Sequence, residues 1–252
     1  MSLPIVRRVR DNLHGTVDIS QLEDAVLAHP YVQRLRRIKQ LAFLNYVFPT
    51  ASHSRFEHSL GVMHLAGKAW YRLWSNQQRL GDSLSRFPNF AEMEREDPNS
   101  ANLGVLAPTF DIAKELLNSE YHIQLIRLAG MLHDLGHPAF SHSGERFMPS
   151  WQDVLETNRK QLPDYLLEYM QNKIKNILSK GKDPAKEQVR HEIFSILMIE
   201  KLLRDVYEDH PDLDIQVDPR DLIAVIIPDI EPASNSKLNK YGIHRLIHEL
   251  IS

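Results

Sequence analysis

The 252-residue chain contains no cysteine. That absence excludes disulfides and thiolate chemistry, and it leaves any transition-metal site to imidazole and carboxylate ligands. Charge of one sign is also scarce. Thirty Lys and Arg stand against 33 Asp and Glu, a formal net charge of −3, so the composition carries no electrostatic footprint of a nucleic-acid or acidic-membrane binder. No apolar run approaches the ~20 residues of a membrane span, and the N-terminus has no signal-peptide core. Glycine is sparse at ten residues, and alternating strand patterns are few, which points to an all-α chain. What remains is an apolar fraction of 42%, enough for a sizeable core. Together these features describe a soluble cytoplasmic protein, read as a single domain over residues 1–252.

The helical periodicity is clear in several places. From Pro30, "PYVQRLRRIKQLAFL" places Leu35, Ile38 and Ala42 on one face and Gln33, Arg36, Arg37 and Gln40 on another, predicting a helix. Residues 57–75 predict a longer apolar helix in which Gly61 and Gly67 permit close packing. "YHIQLIRLAGMLHD" (121–134) is apolar almost all round and predicts a buried helix ending at His133 and Asp134. Residues 187–209 predict an amphipathic helix whose buried side is Phe194, Leu197, Met198, Ile199 and Leu202. The stretch 218–227 opens on Asp–Pro, a helix-entry signal. Residues 82–108 are expected to form an exposed crossing and 178–186 a basic turn. The chain ends inside an apolar helix, "YGIHRLIHELIS", without a stop signal, which suggests a truncated version of a longer protein.

The residues that carry chemistry are concentrated in three places. "MLHDLGHPAFSHSGE" (131–145) holds three histidines and two carboxylates, with Gly136 and Pro138 expected to turn the chain. The adjacent His133 and Asp134 diverge by about 100° at a helix end, yet both can reach a divalent ion lodged there. Leaving that carboxylate buried and unpaired would cost several kcal/mol. "ASHSRFEHSLGVMHLA" (51–66) offers His58 as a further ligand and Arg55 as a bidentate donor to phosphate oxygens. His142 and Glu145 sit three apart, so on a helical turn the carboxylate can orient the imidazole as a general acid–base pair. His191 with Glu192 offers another such pair. On spacing alone each has an ordinary structural alternative, a capped helix end or a satisfied surface histidine. The histidines at 14, 29, 122, 210, 244 and 248 are read as structural.

"HSRFEHSLGVMHLAG", "HDLGHPAFSHSGE" and "RHEIF", in that order and at these separations, resemble the HD-domain metal-dependent phosphohydrolases. Within that family the chain is most similar to the deoxynucleoside triphosphate triphosphohydrolases, both bacterial dGTPase-like enzymes and the catalytic domain of the SAM- and HD-domain dNTPase. "DNLHGTVDI" and "QRLRRIKQL…YVFPTASHSRFEHSLG" follow the same pattern, so the resemblance covers residues 10–205. It implies an HD-domain helical bundle in which His58, His133 and Asp134 hold a divalent metal (Mn, Fe, Zn, Ni or Mg). Arg55 would contact phosphate, and Gln40 and Leu41 would lie near the base and sugar. His137, His142 and Glu145 match an acid–base cluster, and His191 matches a leaving-group acid. The implied reaction converts a dNTP to deoxynucleoside and tripolyphosphate, and relatives assemble as oligomers.

The family completes its metal site with an Asp from a later segment, and no Asp after residue 191 stands in a matching context. Neither Asp221 nor Asp229 is followed by Tyr or Arg at the family spacing. Weak metal binding and low activity are therefore expected of this chain. Two alternatives stand beside the leading reading: another HD phosphohydrolase, acting on phosphomonoesters or phosphodiesters, and a degenerate HD domain binding nucleotide or nucleic acid. The basic stretch "NKIKNILSKGKDPAK" is the feature that raises the last.

Overall fold

A computed structural model of the chain describes residues 3–85, 119–236, 238, 243–249 and 251. The described chain is mostly helical, as expected. It opens, however, with a two-stranded antiparallel hairpin, β1 (Ile5–Asp11) and β2 (Gly15–Ser20). The turn forms because the Asp11 carboxylate accepts the backbone N–H groups of Leu13 and His14, while Gly15 takes φ +75° at no steric cost. Only Val17 and Ile19 of β2 point into the core, so the alternation is too short to stand out in the sequence.

Ser20 and Glu23 form a capping box that starts α1 (Gln21–Ala28), and His29 caps the short α2 (Pro30–Gln33). The single helix expected from Pro30 breaks here into a 3-10 turn at Arg34–Arg37 and another at Leu44–Tyr46. The cause is backbone competition. The Arg55 N–H donates to the Ile38 carbonyl at 2.8 Å, and the Gln40 N–H donates to the His53 carbonyl at 3.1 Å. Residues 38–40 therefore pair with 53–55 rather than with their own helix, and Ala42 is left at φ +48°. Leu35 and Ile38 are buried nonetheless.

The long helix α3 (Arg55–Ser85) starts on a second reciprocal cap, in which the Glu57 carboxylate accepts from both the backbone N–H and the hydroxyl of Ser54. It packs against α4 (Glu120–Leu132), whose apolar sequence is buried along most of its length. The two helices approach tightly at Gly130, where an added Cβ would press on the Val62 and Met63 backbone at 3.1 Å. The expected packing glycines have other neighbours: Gly61 faces the His14 ring and Gly67 the Arg127 side chain. Residues 82–85 of the expected crossing close α3, and 86–108 lie outside the described residues.

After α4 come a 3-10 turn at Ser141–Phe147, α5 (Trp151–Asn158) and α6 (Asp164–Ser179), the last two unforeseen. The basic turn is present, with Gly181 at φ +71°. Helix α7 (His191–Asp209) starts later than predicted, because residues 187–189 pair instead with 149–151. Its buried side is Ile193, Ile196, Ile199, Leu202, Leu203 and Val206, while Phe194, Leu197 and Met198 pack at its margin. Asp218 caps α8 (Pro219–Ile226), and α9 (Ile243–His248) lies within the expected terminal helix. Among the described residues no helix is long and apolar enough to cross a membrane.

Candidate metal and acid–base site

Two groups of side chains meet at Asp134. The first is His58, His133 and Asp134, whose ligand atoms all lie within 4.8 Å of one another. The first turn of α3 presents His58, and the end of α4 presents His133 and Asp134. The crossing at Gly130 brings the two helices close enough for this to happen. His58 Nε2 and His133 Nε2 each lie 3.4 Å from an Asp134 oxygen. The other nitrogen of His133, Nδ1, sits 2.9 Å from the Gly130 carbonyl oxygen. That contact spends the Nδ1 proton on the backbone and turns the Nε2 lone pair toward the cluster. Two imidazoles and a carboxylate converging in this way are a donor set suited to a divalent transition metal.

The second group is His137, His142, Glu145 and His191, with ligand atoms also within 4.8 Å. Glu145 Oε1 is bonded to His191 Nδ1 and lies 3.2 Å from His142 Nδ1. The rings of His137 and His191 stack at 3.6 Å with planes 16° apart. His137 Nε2 is 3.3 Å and His191 Nε2 3.8 Å from Asp134 Oδ1. The His137 contact is close but off the line of a hydrogen bond, and neither nitrogen of this fully buried ring has a bonded partner.

Electrostatics follow from this crowding. Burial opposes ionisation of Asp134, but His137, His133 and Arg55 together hold its carboxyl far below the ordinary range. Burial lowers His137 to about 4, so the ring is neutral near pH 7. His58 is also lowered by burial, with Asp134 partly offsetting it. Burial raises Glu145, but His191 and then His142 outweigh it and the net shift is downward. The downward shift of His58 beside an ionised Asp134 favours the neutral imidazole that a metal ligand needs.

Arg55 is only 2% exposed, and its two terminal nitrogens bond Asp134 and Ser141. The guanidinium thus reaches the site through protein partners already in place. Ser141, at φ +55°, also donates to the Gln40 carbonyl oxygen at 3.1 Å. Gln40 therefore lies beside the Arg55 end of the site, with a buried side-chain oxygen that has no partner, whereas Leu41 is 45% exposed. Leu41 begins an exposed apolar run through Phe43, Leu44, Tyr46, Val47 and Phe48, with the Phe43 ring stacked on Phe140 at 5.0 Å.

Three residues that hold the site were not foreseen. The Ser195 hydroxyl donates to the His133 carbonyl at 2.7 Å and accepts the Gly136 N–H at 2.8 Å. Arg34 donates to the carbonyls of Leu135 and His137. Ser141 links Arg55 to residue 40, as above. Each acts through a backbone carbonyl or a remote partner, which leaves no spacing signal in the chain. Gly136 lies in a turn, as expected, though without left-handed backbone. Its lack of a side chain matters because a Cβ there would collide with the His191 carbonyl and the Ser195 nitrogen.

Residues 103–208 match the HD domain family. The chain is 32% identical over 181 residues to the deoxynucleoside triphosphate triphosphohydrolase SAMHD1 of Homo sapiens, covering 71% of this chain and 22% of that protein. It is 34% identical over 165 residues to the Bos taurus protein of the same name, with 65% and 22% covered. Over 152 residues it is 33% identical to the SAMHD1 homolog of Dictyostelium discoideum, with 60% and 22% covered. The matched stretch spans about a fifth of the length of these relatives.

Proposed function

We propose, on the premise that this chain carries an HD domain homologous to that of deoxynucleoside triphosphate triphosphohydrolases, that it is a cytoplasmic metal-dependent hydrolase cleaving dNTPs to deoxynucleoside and tripolyphosphate. The observation that carries this reading is the meeting of a ligand cluster and an acid–base cluster at one carboxylate, Asp134. His58, His133 and Asp134 would hold the divalent metal, of the Mn, Fe, Zn, Ni or Mg class. When bound, such an ion supplies a Lewis acid and lowers the pKa of water.

The chain's own residues do the rest. Arg55 keeps Asp134 ionised and brings positive charge to the phosphate side of the site. Glu145 fixes the His191 ring through Nδ1, so that Nε2 faces the centre and can pass a proton to the departing 5′ oxygen. His142, beside the same carboxylate and largely exposed, is placed to exchange protons with solvent. His137, buried and neutral, backs the His191 ring. Gln40 and Leu41 would bound the sugar and base. Residues 1–252 are read as one domain that works as a homo-oligomer, a reading supported by the exposed apolar side chains between Leu41 and Phe48.

One observation favours a second reading. Among the described residues Asp134 is the only carboxylate in the first cluster. Asp221 is bonded to Tyr121, Ser236 and the Ala233 N–H, and Asp229 to Lys173. A weakly metal-loaded domain that binds nucleotide with little turnover fits that deficit. Nucleic acid is less favoured as its ligand, because Lys173, Lys182 and Lys186 of the basic stretch each face an acidic partner.

The test is phosphorus NMR of the chain incubated with each dNTP and Mn²⁺. Tripolyphosphate with deoxynucleoside supports the leading reading. Orthophosphate or pyrophosphate supports a different phosphohydrolase. No product, with nucleotide binding retained in His133→Ala, supports the second reading.

A further inference from the structure

The turn that carries the metal-ligand pair is a helix end with few bonds of its own. Within residues 133–137 the only backbone bond running between turn residues is His137 N–H to the Asp134 carbonyl. The His133 carbonyl and the Gly136 N–H have no backbone partner there, and a buried helix end in that condition must find side-chain partners. Both are satisfied by one hydroxyl, that of the fully buried Ser195. The Leu135 and His137 carbonyls are satisfied by Arg34. Two side chains from distant parts of the sequence therefore satisfy these four backbone groups of the turn.

The two are not equivalent. Arg34 comes from a 3-10 turn that carries none of the site's imidazoles. Ser195 lies one helical turn after His191 on α7, so its hydroxyl ties the helix bearing His191 to the backbone bearing His133 and Asp134. The fit is tight, since Gly136 leaves no room for even a methyl group between the turn and the His191 carbonyl. We infer that Ser195 is a positioning residue whose hydroxyl sets the separation between the His191–Glu145 pair and the Asp134 end of the ligand cluster. It touches neither metal nor substrate. The inference rests on the phosphohydrolase reading for its kinetic consequence and on geometry alone for its structural one.

Three variants test it. Ser195→Ala removes the hydroxyl, Ser195→Cys keeps the side chain's shape with a larger sulfur that donates only weakly, and Arg34→Lys loosens the turn without changing a residue of α7. Crystal structures of the metal-free variants are expected to show His191 Nε2 moved away from Asp134 Oδ1, beyond the 3.8 Å of the parent chain, in Ser195→Ala and Ser195→Cys but not in Arg34→Lys. With dNTP and Mn²⁺, kcat of the two Ser195 variants is expected to fall by roughly ten- to a hundredfold, the scale associated with a misplacement of ~1 Å. KM and calorimetric Mn²⁺ affinity should stay within about threefold.

Unchanged His191 geometry in folded Ser195→Ala overturns the inference. So does full kcat in Ser195→Cys, which would make packing volume the cause. A loss of Mn²⁺ affinity matching the loss of kcat also overturns it, because Ser195 would then act on the turn bearing His133 and Asp134 alone. If the parent chain hydrolyses no dNTP, the functional reading fails, and the crystallographic comparison still decides the role of Ser195.

Discussion

The two halves of the site are built from different material. The proposed ligand half sits at the first turn of α3 and just past the end of α4, two helices that cross where Gly130 admits the α3 backbone. The proposed proton-transfer half sits on a 3-10 turn and the first turn of α7, and His142 there has 68% of its side chain exposed. Rigid helices suit ligands, whose directions must agree with one another to within a few tenths of an ångström. A looser turn suits groups that exchange protons with solvent. The comparison therefore predicts two kinds of damage: lost metal and lost stability on one side, lost turnover with metal retained on the other.

The largest effect is expected at the carboxylate both halves share. Asp134→Ala should remove activity altogether. It should also destabilise the chain by about 3–5 kcal/mol in denaturant titration, because Arg55 is left buried without its counter-charge. His133→Ala, which leaves that ion pair alone, should lower calorimetric Mn²⁺ affinity by at least ~100-fold with a smaller loss of stability. Equal destabilisation by the two variants would erase the distinction between ligand and anchor.

Glu145→Gln probes the other half. With the His191 ring no longer held by a carboxylate, kcat should fall by roughly 10²–10⁴-fold while Mn²⁺ affinity is kept. A parallel loss of metal would show that the halves are one unit. Gly136→Ala strikes the seam between them. The added methyl must push α7 from the turn, at a cost of about 1–3 kcal/mol, read as a lower melting temperature together with reduced kcat.

The smallest effect is at the start of α3. Ser54→Ala should cost about 1 kcal/mol through the lost cap. Glu57 has a folded pKa below its ordinary 4.5, mainly through its bond to the Ser54 backbone. Its contribution is therefore complete above that pH and lost as the pH falls through the lower folded value. The stability difference between parent and Ser54→Ala, followed by urea titration from pH 7 to pH 3, should shrink toward the acid end. A difference that stays constant would mean that the cap acts without its carboxylate.

The grouping of His58, His133 and Asp134 was legible in the sequence. "HD" after an almost wholly apolar helix and "RFEH" at a helix start name side chains that the fold does bring together. Periodicity located α3, α4 and α7 because each buries a broad apolar face. It failed from residue 38 to residue 44, where the pattern was helical but the carbonyls of Ile38 and His53 found partners on each other's strand. It also overlooked α5 and α6, whose exposed faces are polar and whose buried residues are few.

The sequence by itself determined the chemistry available: no thiolate, many imidazoles, and carboxylates placed beside helix ends. It also determined the helical architecture, because apolar spacing is a local property of the chain. Only the tertiary structure decided how those groups meet. His191 and Glu145 are 46 residues apart, and Ser195 and Gly136 are 59 apart. Contacts of that kind depend on the crossing at Gly130, on the empty space at Gly136 and on a hydroxyl that satisfies two orphaned backbone groups. Hydrogen bonds to main-chain atoms carry no residue code, so the groups that hold the site in register could be found only once the chain was folded.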